Sequence, residues 1–250
     1  PSIEQTQPTP VLLVSTSIAR KDGLDGLNDA VAKALTEIQA AAKKLGVNVT
    51  GPRILITTNY GDQTYTFDVA LPIDSSTLTV NGQSVQLTAP TPPSLDAAAP
   101  AEASSAAAAA DNVAVGSRDR FGRVAVDGNV RATLAFGGAA LKGVWNGTFA
   151  GVPQTRDMLK AYAQTHGYTF DDVVNRPYDI LATPEVKDAG GNITTYAKYN
   201  VFLPITNAPE KTPEQEAGIQ PPSLDAAAPA GSAPAPASSA APAKAASAGK

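Results

Sequence analysis

The chain has 250 residues, 43% of them hydrophobic, with a formal net charge of −4 and a pI near 5.0. Because the balance is acidic and no basic run occurs, we expect no nucleic-acid binding by this chain alone. The absence of cysteine excludes disulfides, thiolate metal sites and a cysteine nucleophile. No apolar run approaches the roughly 20 residues of a transmembrane helix, so we expect no membrane span.

The first half of the chain predicts the order β-α-β-β after an N-terminal lead at residues 1–10. The elements are a strand at 11–18, a helix at 24–45, and strands at 54–58 and 64–71. The helix prediction depends on apolar residues spaced by three and four, with Gly46 as its stop. A small hairpin across Asn81-Gly82 completes this half, which we place at residues 11–88.

Two segments rich in Ala, Pro and Ser carry too few large apolar side chains to offset the entropy cost of ordering. We interpret residues 89–110 as a linker and residues 206–250 as a disordered tail. Both contain the decapeptide PPSLDAAAPA, at 92–101 and at 221–230. Recent duplication is the favoured explanation, and a short docking motif is the alternative.

The second half, residues 111–205, predicts the same order. Its elements are strands around a Gly137-Gly138 break at 130–136 and 142–150, a helix at 152–167, and strands at 177–183 and 194–203. Pro153 suits the first turn of the helix. The predicted apolar stripe of this helix consists of Met158, Leu159, Tyr162 and Ala163.

One motif occurs in both halves. Phe67-Asp68-Val69-Ala70-Leu71-Pro72-Ile73 closes the first half, and Tyr199-Asn200-Val201-Phe202-Leu203-Pro204-Ile205 closes the second. The spacing of 132 residues exceeds the period of a solenoid repeat and indicates two fused structural halves. We therefore expect the functional site to lie between them.

These two endings, with Gly151-Val152-Pro153 and Arg176-Pro177-Tyr178, resemble the bacterial GyrI-like small-molecule-binding family. Members also form the effector-binding domains of some AraC-type and MerR-type regulators. The resemblance implies an α+β fold in which two tandem β-α-β-β halves form a pseudo-twofold antiparallel sheet. It further implies helices on one face of that sheet, a ligand cleft on the other, and a non-enzymatic module that binds a small, partly apolar molecule.

An acidic residue in the second ending usually projects into the cleft of this family, where it holds cationic ligands or, in a few members, acts in hydrolysis. Asn200 occupies that position here, and an amide neither neutralises a cation nor acts as a general base. We therefore favour binding over catalysis. A hydrolase or polyketide-cyclase-associated enzyme of the same fold, and a protein-interaction domain of the gyrase-inhibitor type with a protein partner, stay open as alternatives.

Strand alternation places one set of side chains on the face predicted to form the cleft. The predicted ligand-binding residues are Asp68, Tyr196, Lys198, Asn200 and Phe202, with Trp145 as an aromatic wall. Alternatively, Asp68 and Lys198 are half-exposed strand residues or pair with each other, and Trp145 is ordinary packing. No cofactor or catalytic residue is predicted.

The only histidine, His166, stands at the end of the second predicted helix, where a capping role is expected. No Cys, Asp or Glu stands beside it at ligand spacing, so no metal site is predicted. Composition leaves the compartment open between a bacterial envelope or periplasm and the cytoplasm.

Overall fold

The computed structural model describes residues 1–91 and 113–207. Within these ranges one nine-stranded antiparallel sheet carries two α-helices, which makes the fold α+β. Both copies of the duplicated decapeptide, at 92–101 and 221–230, lie outside the described residues, as does nearly all of the predicted linker and tail.

The strands and helices are numbered in chain order. They are β1 (Ser2–Thr6), β2 (Pro10–Ala19), α1 (Gly23–Leu45), β3 (Ile54–Tyr60), β4 (Thr64–Pro72), β5 (Thr77–Val80), β6 (Gln83–Gln86), β7 (Val124–Asp127), β8 (Val130–Leu134), β9 (Gly138–Asn146), α2 (Gly151–Thr165), β10 (Tyr178–Thr183), β11 (Val186–Lys187), β12 (Ile193–Thr195) and β13 (Lys198–Pro204).

The main sheet has a pseudo-twofold arrangement. Its strand order is β1-β9-β13-β10-β3-β4-β2-β8-β7, with β3 and β10 paired at the centre. Moving outward from that pair, β4 corresponds to β13 and β2 corresponds to β9. The units β2-α1-β3-β4 and β9-α2-β10-β13 are therefore equivalent, which confirms the predicted tandem β-α-β-β halves of an antiparallel sheet.

The outer strands of the sheet are exchanged between the halves. β1, from the N-terminal lead, pairs with β9 of the second half, and Thr6 lies opposite Gly138. The hairpin β7–β8 pairs instead with β2 of the first half. Because β9 pairs with β1 from Gly138 onward, this strand begins four residues earlier than the predicted 142–150. Each half is thus completed by a segment that lies outside its own β-α-β-β unit.

Helix α1 follows its apolar spacing closely. The residues buried against the sheet are Leu27, Val31, Ala34 and Ile38. The helix begins one residue before the predicted range 24–45 and ends at Leu45, as predicted. Gly46 adopts φ 68°, and its backbone N–H donates to the carbonyls of Ala42 and Lys43. This left-handed C-cap requires no Cβ, which explains the glycine at that position.

Helix α2 buries Leu159 and Ala163 and packs Tyr162 against the core as predicted, but Met158 lies outside the buried face. Met158, assigned above to the apolar stripe, is 51% exposed, whereas Arg156 is only 4% exposed. Val152, Leu159 and Ala163 complete the buried face with Arg156, at helical spacing. The prediction for Met158 was wrong because a charged residue occupies the inward position, opposite a buried acid described below.

The strand endings alternate as predicted. Alternate side chains of β4 and β13 pack under the helices in the main core, namely Tyr65, Phe67, Val69 and Leu71 on β4 and Tyr199, Val201 and Leu203 on β13. The face opposite the helices carries a smaller apolar cluster from both halves, which includes Leu13, Ala70, Tyr178 and Phe202. Both faces of the central strands are therefore buried.

Candidate functional site

Asp68 lies on the sheet face opposite the helices and is 9% exposed. Its carboxylate accepts a hydrogen bond from the Ser15 hydroxyl at 2.6 Å and lies 3.8 Å from Arg123 Nη1. Arg123 Nε in turn donates to Asp119 at 2.7 Å. The charge of Asp68 is therefore matched within the first half and the segment before β7, and not by Lys198.

The sheet separates Asp68 from the predicted residues of β13. Across the strands Asp68 pairs with Ile56, Ile56 with Tyr178, and Tyr178 with Phe202. Asp68 and Phe202 thus share one row, three strand spacings or about 14 Å apart along the sheet. Asn200 and Lys198 lie further from that row, two and four residues along β13. The structure does not bring Asp68 against either residue.

The other predicted ligand contacts differ in exposure. Phe202 is 4% exposed and stacks on Tyr178, with ring centroids 4.8 Å apart. Tyr196 is 61% exposed, and Lys198 is exposed at the start of β13. Asn200, which lies between Lys198 and Phe202 on β13, is half-buried. The role of these residues in ligand binding stays a prediction, and their positions do not define one cavity.

Trp145 lies on the helix side of the sheet, against the first turn of α2. Its indole Nε1 donates to the carbonyl of Thr148 at 2.7 Å. A Cβ added at Gly151 would come within 2.0 Å of the Trp145 ring, so the ring occupies the space that any other residue would need. These contacts make Trp145 a packing residue at the start of the helix. His166 lies at the C-cap of α2, as predicted.

Substituting Gly151→Ala is expected to destabilise the protein by about 1–3 kcal/mol, because the new methyl group overpacks the Trp145 ring. Urea denaturation followed by circular dichroism would measure the loss. The double variant Gly151→Ala/Trp145→Ala serves as the control, since the smaller side chain removes the clash. Equal losses from Gly151→Ala with and without Trp145 would contradict this contact.

A buried polar cluster lies at the centre of the helix face, where the two halves meet. Asp179 of β10 is fully buried beside Leu55 of β3, and neither carboxylate oxygen finds a hydrogen-bond partner among the described residues. Arg156 Nε and Nη2 and Arg53 Nη1 are equally buried and also find no partner there. Sequence reasoning missed this cluster. Its signal is an acid inside the apolar strand Tyr178–Thr183.

The cluster shifts the proton affinity of its members. Burial raises the pKa of Asp179 to about 6, although Arg53 and Arg156 act in the opposite direction. Burial, followed by the charge of Asp179, raises the pKa of Tyr65 to about 12. The Tyr65 hydroxyl also lies 3.0 Å from the Thr57 hydroxyl, at the edge of the cluster. Positive and negative groups thus face each other without direct contact.

A cavity of about 300 Å³ lies on the helix side of the sheet and is lined by both halves. Its walls are residues 57–60 of β3, Pro153, Arg156, Asp157 and Lys160 of α2, and Asp172, Arg176 and Pro177 before β10. None of the six predicted ligand-binding residues lines it. Three segments that are distant in sequence come together to form this cavity. No single sequence motif therefore predicts it.

Hydrogen bonds hold the cavity walls together. Arg176 Nη1 donates to the carbonyl of Thr58 at 2.8 Å and to that of Asp172 at 3.2 Å, which joins the second half to β3 of the first. Lys160 Nζ lies 2.5 Å from an Asp172 carboxylate oxygen. The Thr58 hydroxyl is buried and has no partner among the described residues.

Residues 1–91 and 113–207 contain no group of three or more metal-ligating His, Asp or Glu side chains. Neither helix in those ranges is both long and apolar enough to cross a membrane.

Comparisons with known proteins give distant structural similarities. No family model matches the chain, and no curated protein matches it. The EcmrR C-terminal domain has a TM-score of 0.48 at 8% identity, over 83% of this chain and 97% of that domain. The EcmrR chain in an EcmrR–DNA complex gives the same TM-score and identity over 83% of this chain, but this chain spans only 57% of that chain.

Two further solved structures have similar extents of overlap. A hydrolase from Listeria innocua has a TM-score of 0.46 at 14% identity, over 82% of this chain and 91% of that one. SAV2435, in a structure bound to tetraphenylphosphonium, has a TM-score of 0.38 at 9% identity, over 82% and 93%.

Proposed function

We propose that this chain is a non-enzymatic module that binds a small, partly apolar molecule between its two halves. The observation that carries the proposal is the cavity of about 300 Å³, whose walls come from β3 of one half and α2 of the other. Ligand sites are typically concave and combine apolar surface with a few directed polar groups. Tyr60, Pro153 and Pro177 supply ring surface, and Thr58 and Arg156 supply polar groups.

The hydroxyl groups of the cavity favour binding over catalysis. Thr57 is hydrogen-bonded to Tyr65, and Thr58 contacts neither a carboxylate nor an imidazole among the described residues. Activation of a hydroxyl nucleophile requires a base within hydrogen-bond reach. The hydrolase and protein-interaction alternatives have no comparable contact in their favour.

The proposal is tested by titrating the full chain with benzoate, benzyl alcohol and benzamidinium. Isothermal titration calorimetry measures the binding of each probe. We expect saturable binding of at least one probe. Binding should be lost in Asn59→Trp, because the indole would fill a cavity lined by Asn59. Asp68→Ala and Phe202→Ala serve as comparison variants on the opposite face of the sheet.

The two faces give opposite outcomes in this experiment. Retained binding in Asp68→Ala and Phe202→Ala, with loss in Asn59→Trp, supports the cavity. Loss in Asp68→Ala or Phe202→Ala, with retention in Asn59→Trp, would move the site to the face predicted from the sequence. No saturable binding of any probe by the folded wild-type chain would refute the proposal.

A further inference from the structure

Arg156 lines the cavity and carries one guanidinium edge without a hydrogen-bond partner among the described residues. The residue is 4% exposed, and its Nε and Nη2 atoms find no hydrogen-bond partner among the described residues. These two nitrogens lie on the same edge of the planar guanidinium and donate in parallel. Such a fork matches the two oxygens of a carboxylate or phosphate. Asp179, the buried acid opposite Arg156, makes no hydrogen bond with this edge. Leaving the edge unpaired in the folded protein is costly, so another acceptor is expected.

Arg176 adds a second guanidinium to the same cavity. Its Nη1 donates to the carbonyls of Thr58 and Asp172, which are neutral acceptors and leave the positive charge without a carboxylate in direct contact. Burial lowers the pKa of Arg176, while Asp172, Asp68 and Asp171 oppose that shift from a distance. The cavity therefore contains two arginines that no described carboxylate contacts directly.

The acids around the cavity do not cancel this charge. Asp172 is paired with Lys160, and Asp157 belongs to an exposed position of α2. Asp179 lies in the buried layer, where the charge of Arg53 offsets its own. Counting Arg156, Lys160 and Arg176 against Asp157 and Asp172 leaves one excess positive charge in the lining.

We propose that the cavity takes a small molecule that carries an oxyanion, a carboxylate or a phosphate, held by Arg156 and Arg176. The inference rests on the proposed function and adds the chemical class of the ligand. In the family that the sequence resembles, an acidic residue holds cationic ligands. Asn200 replaces that acid here, and the lining of the cavity carries excess positive charge instead. The unpartnered Thr58 hydroxyl would supply a third donor to the same anion.

The test compares four probes that share a benzene ring and differ in charge. Benzoate, phenyl phosphate, benzyl alcohol and benzamidinium are titrated into the full chain by isothermal titration calorimetry. We expect benzoate or phenyl phosphate to bind at least tenfold more tightly than benzyl alcohol or benzamidinium. Planar benzoate and tetrahedral phenyl phosphate also distinguish the two kinds of oxyanion.

Variants then assign the binding to the arginines. Arg156→Lys keeps the charge but removes the fork, and we expect about a 10- to 100-fold loss of anion affinity, as for one charge-assisted bidentate contact. Arg176→Gln tests the second guanidinium with the same expected direction. Arg131→Lys is the matched control, because Arg131 is another buried arginine, 5% exposed, on β8. Circular dichroism verifies that each variant folds.

The results separate this inference from the proposed function. If benzamidinium or benzyl alcohol binds more tightly than benzoate and phenyl phosphate, the oxyanion assignment is wrong. The proposal that the cavity binds a small molecule would still hold. Anion affinity unchanged in folded Arg156→Lys and Arg176→Gln overturns the oxyanion assignment as well. If Arg156→Lys does not fold, Arg176→Gln and Asn59→Asp decide, since each should weaken the anion probe alone. Failure of all four probes removes both proposals.

Discussion

Substituting Asp179→Asn is expected to remove about 3 kcal/mol of pH dependence from the free energy of unfolding between pH 4 and pH 7. The pKa of Asp179 is about 6 in the folded protein and 3.8 ordinarily. This difference of about 2 pH units corresponds to about 3 kcal/mol at 1.36 kcal/mol per unit. Full burial of the carboxylate, with no hydrogen-bond partner among the described residues, is the physical cause.

The sign follows from the direction of the shift. Because folding raises the pKa of Asp179, the folded state binds the proton more tightly than the unfolded state does. The contribution is therefore fully present below about pH 4 and is lost as the pH rises through 6. Urea denaturation of the wild-type chain at pH 4, 5, 6 and 7 should show this loss relative to Asp179→Asn.

A matched control isolates the buried group from the other carboxylates. Asp157→Asn changes an exposed aspartate of α2, and its stability should run parallel to that of the wild-type chain across the same pH range. Parallel curves for wild type and Asp179→Asn would show that the carboxylate is solvated, and would contradict the buried cluster.

Substituting Phe67→Ala is expected to cost about 3–5 kcal/mol of stability, which could unfold a marginally stable domain. Phe67 is among the largest fully buried side chains of the described residues, and it stacks on Tyr65 with ring centroids 4.6 Å apart. Its removal leaves a cavity in the main core under the helices. Urea denaturation at constant pH measures the change.

Two variants keep this prediction testable. Phe67→Leu retains most of the buried volume and should lose less stability than Phe67→Ala. It therefore gives a measurable loss even if the alanine variant does not fold. Tyr196→Ala changes an aromatic residue that is 61% exposed, and we expect a change within about 0.5 kcal/mol. A loss below about 1 kcal/mol for Phe67→Ala would contradict the register that places Phe67 in the core.

Local periodicity was sufficient to predict both helices, the principal strands and the faces of β4 and β13, although β1 lies in the segment predicted as an N-terminal lead. The alternation in β4 and β13 fixes which residues face the helices, because a shift of one residue would expose the whole apolar set. Asn81-Gly82 predicted its hairpin for a similar reason. Both residues adopt positive φ, 50° and 76°, as a two-residue turn of this kind requires.

Structural features formed by segments distant in sequence were not predicted. The order of strands in the sheet, which keeps Asp68 away from Lys198, follows from pairings that no local pattern encodes. The inward position of Arg156 depends on Asp179, which lies 23 residues further along the chain. A cavity lined by residues 57–60, α2 and the segment before β10 could not be predicted from any one of those segments.

The exchange of outer strands bears on the order in which the protein is made. The outer edge of β2 has no partner until β8 is synthesised, and β8 begins more than 110 residues after the end of β2. β1 is synthesised first, and its partner β9 begins 132 residues after the end of β1. Nascent chains with such open edges are prone to pair with the wrong strand. Neither half can therefore complete its edges before synthesis of the other is well advanced.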